Sequence, residues 1–158
     1  MLVLIYIAAI CVANLSAAKF GVWITPFNAF LLIGLELVLR DIIHHKLNKL
    51  QMIIVVLVAG VLSFLINADA KNIAIASFLA VVVSCLVDYI VYSNVIGSWE
   101  KRSNASNIAS GFTDSLIFPV VAFGVFVPQV FFMQWAAKVF GGAMWAFILS
   151  RFFRFKPV

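Results

Sequence analysis

Apolar residues along this chain are grouped into six long runs that short polar segments separate. The runs occupy residues 2–18, 24–43, 51–67, 72–94, 104–125 and 129–151. A helix of about 20 residues, at 1.5 Å per residue, crosses the apolar core of a bilayer. The pattern therefore predicts an all-α, polytopic membrane protein with six transmembrane helices. A count of five is the alternative, if the first run lies outside the bilayer.

The segments between the runs carry the polar residues that end helices. They are Lys19, then HHKLNK, NADAKN and SWEKRSN, and finally the turn that Gly124 and Pro128 supply. The first run resembles a signal peptide at SAAK, but no Lys or Arg precedes Lys19, and a secretory signal needs a basic start. We therefore interpret the first run as a transmembrane helix.

Composition supports the membrane assignment. The 158 residues are 65% hydrophobic and 11% charged, with a mean hydropathy of +1.15, whereas soluble domains are about 25% charged. A soluble domain of this size would need a polar surface that these residues do not supply. We predict one integral membrane domain over residues 1–158.

Positive charge is concentrated on one side of the predicted helices. Eight cations flank the second, fourth and sixth runs: Arg40, Lys46, Lys49, Lys101, Arg102, Arg151, Arg154 and Lys156. The opposite segments hold only Lys19 and Lys71. Because cytoplasmic loops carry the excess of Lys and Arg, both termini are predicted to be cytoplasmic. The net charge of +5 is then a topological signal, and we predict no nucleic-acid partner.

One pattern occurs twice and places a carboxylate inside an apolar run. SCLVDYIVY and SGFTDSLIF each carry a Ser four residues before an Asp, which gives Ser84 with Asp88 and Ser110 with Asp114. Residues four apart share a helix face. An acid inside a membrane helix is costly and needs a partner, a proton or a wet cavity. We therefore expect Asp88 and Asp114 to reach one common cavity.

Other polar residues recur at helical spacing within the runs. They are Asn107, Ser110 and Gly111 in the fifth run, Glu36 with Arg40 in the second, Gln134 with Lys138 in the sixth, and Asn14 in the first. Asp114 lies about 15 Å along its predicted helix and Lys138 about 13 Å from the opposite side, so both fall near the midplane. Transporters commonly bind substrate at that depth.

Structural roles compete with a binding role for several of these residues. Glu36 and Arg40 are also compatible with a structural ion pair, and Lys138 with neutralisation of one acid. Ser84 and Ser110 are also compatible with close helix packing. Pro119 is expected to kink the fifth helix beyond Asp114, because proline cannot donate the helical hydrogen bond.

The residues that enzymes use for metals or redox chemistry are sparse. Cys11 and Cys85 lie in apolar runs, and the pair His44–His45 lies in a basic segment, so we predict no disulfide and no metal site. No nucleotide-binding motif is present. An intramembrane aspartyl protease also uses two membrane Asp residues, but the chain lacks the Gly-x-Gly-Asp context of such enzymes. We interpret the chain as a non-enzyme without a cofactor.

The segment EKRSNASNIASGFTDSLIFPVVAFG resembles the signature of the vitamin uptake transporter family, better described as queuosine precursor transporters (the YhhQ-like proteins). The matching positions are Arg102, Asn104, Ser106, Asn107, Asp114, Ser115 and Phe118. The fourth run resembles the preceding family segment, which ends in Asp88. The second run resembles the family's acidic helix, with Glu36, Arg40 and Asp41. Asn14 with Lys19, and Gln134 with Lys138, also match. With its short loops, the chain would be a compact member.

The resemblance implies uptake of a 7-deazaguanine base, either queuine or 7-cyano- or 7-aminomethyl-7-deazaguanine, across a bacterial cytoplasmic (inner) membrane. The implied substrate-binding residues are Asp114, Asp88, Asn107, Ser110, Glu36, Lys138, Gln134, Asn14, Arg102 and Asn104. The alternative is a substrate-binding membrane subunit that needs a separate energising partner. The expected partners are the base and the lipid bilayer. A homo-oligomer and a monomer are both compatible with the sequence.

Overall fold

Six long helices make up the computed structural model of this chain, which is described for residues 1–44, 48–66 and 71–152. The all-α prediction is confirmed, because no strand occurs in these ranges. Five of the helices are regular: α1 (Leu2–Phe20), α3 (Lys49–Ile66), α4 (Lys71–Asn94), α5 (Trp99–Phe123) and α6 (Pro128–Phe152). The remaining helix, α2, covers residues 22–44 and is irregular.

Helix α2 changes its hydrogen-bonding pattern three times. It begins with a 3-10 turn (Val22–Ile24) and an α-helical turn (Thr25–Asn28), continues as a π-helical segment (Ala29–Ile33), and ends as an α-helix (Gly34–His44). A π turn holds one residue more than an α turn and is frequent at functional sites. All eight residues from 36 to 43 are buried. The second half of α2 is therefore enclosed on every side by the other helices.

The other helices pack around α2 in neighbouring pairs. The most extensive contact joins α4 and α5, α6 packs on both α5 and α2, and α1 packs on α3 and α2. The apolar core formed in this way combines residues of α1, α2, α3, α4 and α6 with the first residue of α5: Tyr6, Ile10, Cys11, Val38, Leu39, Ile42, Ile43, Ala59, Val81, Trp99 and Ala146.

Helix α5 shows the inverted pattern of a helix whose outer surface is in contact with lipid. Its polar residues Ser103, Ser110 and Asp114 are buried, whereas its apolar residues Ile108 and Phe112 are exposed. Lipid solvates apolar side chains and excludes polar ones, so polar residues turn toward the helix bundle. The polar stripe predicted for the fifth run therefore faces the interior.

Four helices are long and apolar enough to cross a membrane, among the residues that the structure describes. They are α1, α2 over Val22–Ile43, α4, and α6 over Pro128–Arg151. The first run, on which the five-helix alternative depended, is one of these four. The chain is a multi-pass membrane protein.

The structure corrects two assignments at the ends of helices. The segment SWEKRSN is not a loop after Ser98, because α5 begins at Trp99 and not near residue 104. The Ser98 hydroxyl accepts a hydrogen bond from the Lys101 amide, and Glu100 lies in the positive first turn, so the polar residues stabilise a helix start. Arg40 is buried inside α2 and is not a loop cation. His45, Lys46, Arg154 and Lys156 lie outside the described residues.

Helices α2 and α6 touch through their backbones at glycine. A Cβ atom added at Gly141 would lie 2.1 Å from the carbonyl oxygen of Phe30, in the π segment. A Cβ atom at Gly34 would lie 2.8 Å from the Gly141 carbonyl carbon. Small residues at a membrane helix interface allow this close approach.

Replacing Gly141 with alanine is expected to lower stability, because the new methyl group would overlap the Phe30 carbonyl and push α6 away from α2. Overpacking of this kind costs about 1–3 kcal/mol. The measurement is the thermal unfolding temperature of the purified protein in detergent, with Ala143→Leu as control, since Ala143 is exposed on the same helix. Equal unfolding temperatures for wild type and Gly141→Ala would contradict the close contact.

Candidate functional site

Polar side chains from α2, α4, α5 and α6 are buried inside the bundle. We call them the polar column and divide them into three hydrogen-bonded layers. The cavity layer contains Thr25, Asp114, Ser115, Gln134 and Lys138. The arginine layer contains Glu36, Arg40 and Ser84. The carboxyl layer contains Asp41, Asp88, Ser103 and Ser110. Every member of the column is buried.

An ion pair between α5 and α6 is the centre of the cavity layer. The ammonium nitrogen of Lys138 lies 2.6 Å from Oδ2 of Asp114 and donates also to Oγ of Ser115, at 2.8 Å, and to Oε1 of Gln134, at 3.4 Å. Gln134 in turn donates from Nε2 to Oγ1 of Thr25, at 2.7 Å. All three donors of the ammonium group are used, and the network ties α6 to both α5 and α2.

A small buried cavity of about 30 Å³ adjoins this ion pair. That volume admits about one water molecule and is far below the several hundred Å³ of a typical ligand pocket. Helices α1, α2, α4, α5 and α6 all line it: Ile10, Ala13, Asn14, Ala17, Thr25, Asn28, Ala29, Ile33, Ser77, Val81, Asp114, Phe118, Gln134 and Lys138. Part of the lining comes from the π segment of α2.

The arginine layer contains the ion pair that the sequence predicts within α2. One terminal nitrogen of Arg40, Nη2, contacts both carboxylate oxygens of Glu36, at 3.2 and 3.0 Å. The other, Nη1, donates to the hydroxyl of Ser84 on α4, at 3.4 Å. Both charged residues are 1% exposed. The two opposite charges lie one helical turn apart and cancel, so the ion pair itself adds no net charge to α2.

The carboxyl layer joins α2, α4 and α5. Ser103 donates to Oδ2 of Asp41, and Ser110 donates to Oδ1 of Asp88 at 3.4 Å. The Asp88 carboxyl is near enough to the Asp41 carboxyl for the two groups to interact. Neither acid has an ion-pair partner within 4.0 Å among the described residues.

The predicted substrate-binding residues divide between the layers. Asp114, Lys138, Gln134 and Asn14 meet at the cavity. Asp88 is not among the residues that line the cavity, in contrast to the expectation that it would share one with Asp114. The physical reason is that Ser110 points from α5 toward α4, where it binds Asp88, one helical turn away from Asp114.

Four other predicted site residues lie away from the cavity. Glu36 belongs to the arginine layer, and Asn107 donates to the Ser103 hydroxyl at 3.4 Å. Arg102 donates to the backbone carbonyl of Tyr92 at 3.1 Å, and its guanidinium lies 4.2 Å from the centre of the Tyr92 ring. This contact fastens the start of α5 to the end of α4. Asn104 is half-buried in the same first turns.

Thr25 is a member of the site that the sequence pattern does not identify. It lies at the start of the second apolar run, before Pro26, where a threonine is common and signals no function. Its role depends on a hydrogen bond to Gln134, 109 residues away. Asp41 and Ser103 also join through a contact across 62 residues. No local spacing signals such pairs.

Comparison with known protein families gives one match. A family model described as "Putative vitamin uptake transporter" matches residues 1–152 and so includes every residue of the polar column. Neither the curated proteins nor the solved structures give a match.

Removing one partner of the Asp114–Lys138 pair is expected to destabilise the bundle more than removing both. Asp114→Asn or Lys138→Met alone leaves a buried charge without a partner, which costs about 3–5 kcal/mol, whereas the double variant leaves none. The measurement is a double-mutant cycle of unfolding temperatures in detergent. Glu100→Gln, an exposed acid on the same helix, is the control. Additive effects of the two single changes would show that the pair does not stabilise the fold.

Proposed function

The chain belongs to the vitamin uptake transporter family, and from that premise we propose that it takes up a 7-deazaguanine base, a queuosine precursor, across a bacterial inner membrane. The candidate substrates are queuine and 7-cyano- and 7-aminomethyl-7-deazaguanine. The proposal combines the family membership with the chemistry of the cavity layer, and the two lines of support are independent of each other.

The observation that carries the proposal is the juxtaposition of a carboxylate and an ammonium group at one buried cavity, Asp114 and Lys138. The guanine-like edge of a deazaguanine presents a carbonyl oxygen, a ring N–H and an exocyclic amine side by side. A carboxylate accepts hydrogen bonds from the two donors, and an ammonium group donates to the carbonyl oxygen. The charges of the cavity layer thus complement the three groups of that edge.

Other residues of the cavity suit the rest of the base. Gln134 and Asn14 carry amides that both donate and accept, and Phe118 offers an aromatic face against which a flat ring can stack. A pocket with a few convergent polar groups and apolar walls is the usual form of a small-molecule site.

Binding of a bicyclic base requires the cavity to widen, because about 30 Å³ is too small for it. We propose that the base inserts between Asp114 and Lys138 and takes over their hydrogen bonds. Each charged group then exchanges its ion-pair partner for a polar group of the base. Neither charge is left without a partner in the apolar interior, which would cost several kcal/mol. The irregular part of α2 lines the same cavity and is the segment that we expect to move.

We also propose that all six helices span the membrane, with both termini in the cytoplasm. An excess of cations supports this orientation: Lys46 before α3 and Lys49 at its start, Lys101 and Arg102 at the start of α5, and Arg151, Arg154 and Lys156 in the C-terminal segment, against Lys19 and Lys71 on the opposite side. In that arrangement, the carboxyl layer lies between the cavity layer and the cytoplasmic face.

Asp114→Asn is expected to weaken recognition of the donor edge, because an amide nitrogen would face the donors of the base. The measurement is binding of 7-cyano-7-deazaguanine and of its analogue without the exocyclic amine. Wild type should prefer the parent base by about ten- to a hundredfold, the value of one charge-assisted hydrogen bond, and the variant should lose most of that preference.

Using a ratio of two ligands on one protein removes any effect of a smaller folded fraction. Phe118→Leu is the matched control, because loss of stacking should weaken both ligands equally. An Asp114→Asn protein that discriminates between the two ligands as wild type does would exclude Asp114 from the recognition of the base.

Reporter fusions test the orientation. A phosphatase that is active only outside the cytoplasm is expected to be inactive after Val158 and when inserted at Gly97, between α4 and α5. It is expected to be active at Gly21, between α1 and α2. Activity after Val158 would reverse the proposed topology.

A further inference from the structure

Two buried acids remain without an ion-pair partner when the acidic residues are assigned to the described ion pairs. The chain has six acidic residues: Glu36, Asp41, Asp69, Asp88, Glu100 and Asp114. Glu36 pairs with Arg40, Asp114 pairs with Lys138, and Glu100 is exposed. Asp69 lies outside the described residues. Asp41 and Asp88 remain, with exposed fractions of 1% and 0%, and no cation is bonded to either in the described parts of the chain.

Only one carboxyl oxygen of each of these two acids has a hydrogen-bond donor among the described residues. Each accepts one bond from a serine, and each keeps one oxygen, Oδ1 of Asp41 and Oδ2 of Asp88, that is buried without a donor. The two carboxyls are near enough to each other to interact. Ionised carboxyl groups are acceptors only, so two of them placed side by side in a buried site repel each other unless a proton lies between them.

A third buried acceptor beside this pair also lacks a donor. Asn107 donates to Ser103, the same residue that binds Asp41, and its carbonyl oxygen is buried without a hydrogen-bond partner. Three neighbouring helices therefore each bury an acceptor oxygen that has no hydrogen-bond donor among the described residues. A group that supplies positive charge or a donor is what these oxygens lack.

Among the described residues, Arg40 is a cation whose charge reaches both acids, but it forms an ion pair with neither. Its terminal nitrogens hold both oxygens of Glu36 and the Ser84 hydroxyl, and its Nε is buried without an acceptor. Arg102 holds the Tyr92 carbonyl and covers the Tyr92 ring, and the described side chains of Cys85 and Tyr92, which also lie near Asp88, supply no cation.

We propose that Asp41 and Asp88 share a single proton and that this carboxyl pair couples uptake to proton entry. The shared proton stands on the geometry alone, whereas the coupling rests on the proposed function.

The position of the pair suits a coupling role. Asp88 lies six residues before the end of α4, about 9 Å, and Asp41 lies closer still to the end of α2. In the proposed topology, the pair therefore separates the cavity from the cytoplasm. Ser110 binds Asp88, and Asp114 follows one turn later on the same helix and binds Lys138. A change in the protonation of Asp88 thus acts on the helix that carries the substrate site.

The transport cycle balances with one proton for each base. The proton comes from the external solution, converts one carboxylate of the pair into a carboxylic acid, and is released into the cytoplasm as the carboxylate forms again. 7-Cyano-7-deazaguanine is neutral, so each cycle with that base moves one positive charge inward. An inward gradient of about one pH unit then supports about tenfold accumulation of the base.

Infrared spectroscopy of the purified protein tests the shared proton without any substrate. Wild type at neutral pH is expected to show the carbonyl stretch of a protonated carboxyl group. Asp41→Asn and Asp88→Asn should each remove that band, because the remaining carboxylate can accept from the new amide. The band should persist in Glu100→Gln and in Asp114→Asn. Absence of the band in wild type, or its persistence in both Asp41→Asn and Asp88→Asn, would overturn the shared proton.

Uptake of radiolabelled 7-cyano-7-deazaguanine into proteoliposomes tests the coupling, with this chain as the sole protein and the membrane potential clamped. Wild type and Glu100→Gln should accumulate the base when the interior is alkaline. Asp88→Asn should exchange the base across the membrane but reach a concentration ratio of only about one. Accumulation that follows a sodium gradient at constant pH, or full accumulation by Asp88→Asn, would overturn the coupling.

The two experiments separate the two proposals. A wild-type protein that shows the infrared band but neither binds nor exchanges the base would refute the proposed substrate and leave the carboxyl pair standing. A protein that binds the base but transports it only with a separate energising partner would overturn the coupling and favour the role of a substrate-binding subunit.

Discussion

A charged group in the apolar interior of a membrane protein needs a neighbouring group that compensates its charge, because lipid does not solvate it. The ion pair of Asp114 with Lys138 meets this requirement at the centre of the bundle. Its cation also binds Ser115 and Gln134, and Gln134 reaches Thr25. The donors of one ammonium group and one amide thereby connect three helices. The inward orientation of α5 and the position of α6 both follow from this network.

The arginine and carboxyl layers of the polar column compensate their charges in two other ways. Arg40 is balanced within its own helix by Glu36, one turn away. Asp41 and Asp88 accept from serine hydroxyls and lie near each other, and neither forms an ion pair with a cation among the described residues. Balance within one helix, as in Glu36–Arg40, gives a fixed contact. Under the proposed function, the cavity layer exchanges the bonds of its ion pair for bonds to the base, and the carboxyl layer exchanges a proton.

The sequence predicts those features that depend on neighbouring residues. The inward stripe of α5 and the Glu36–Arg40 pair follow from spacings of three and four residues, which define one helix face. The bond from Ser110 to Asp88 spans 22 residues and that from Gln134 to Thr25 spans 109, so they depend on how the helices pack. The sequence prediction, which used spacing alone, therefore assigned Asp88 and Asp114 to one common cavity. The π segment of α2 has no recognised sequence signal, and the polar start of α5 resembles a loop in composition alone.

Both ion pairs join residues that are synthesised close together. Glu36 and Arg40 belong to one helix, and Asp114 and Lys138 lie 24 residues apart on two helices that a turn of a few residues connects. Membrane helices enter the bilayer in order of synthesis, and a bare charge opposes entry by about 2.5–3.5 kcal/mol. The Glu36–Arg40 part of α2 can therefore enter with its two charges paired, and α5 with α6 can enter as a hairpin in which the charges of Asp114 and Lys138 cancel, before the rest of the bundle has assembled. The pairing that shapes the cavity and arginine layers thus also lowers the barrier to inserting these charged residues.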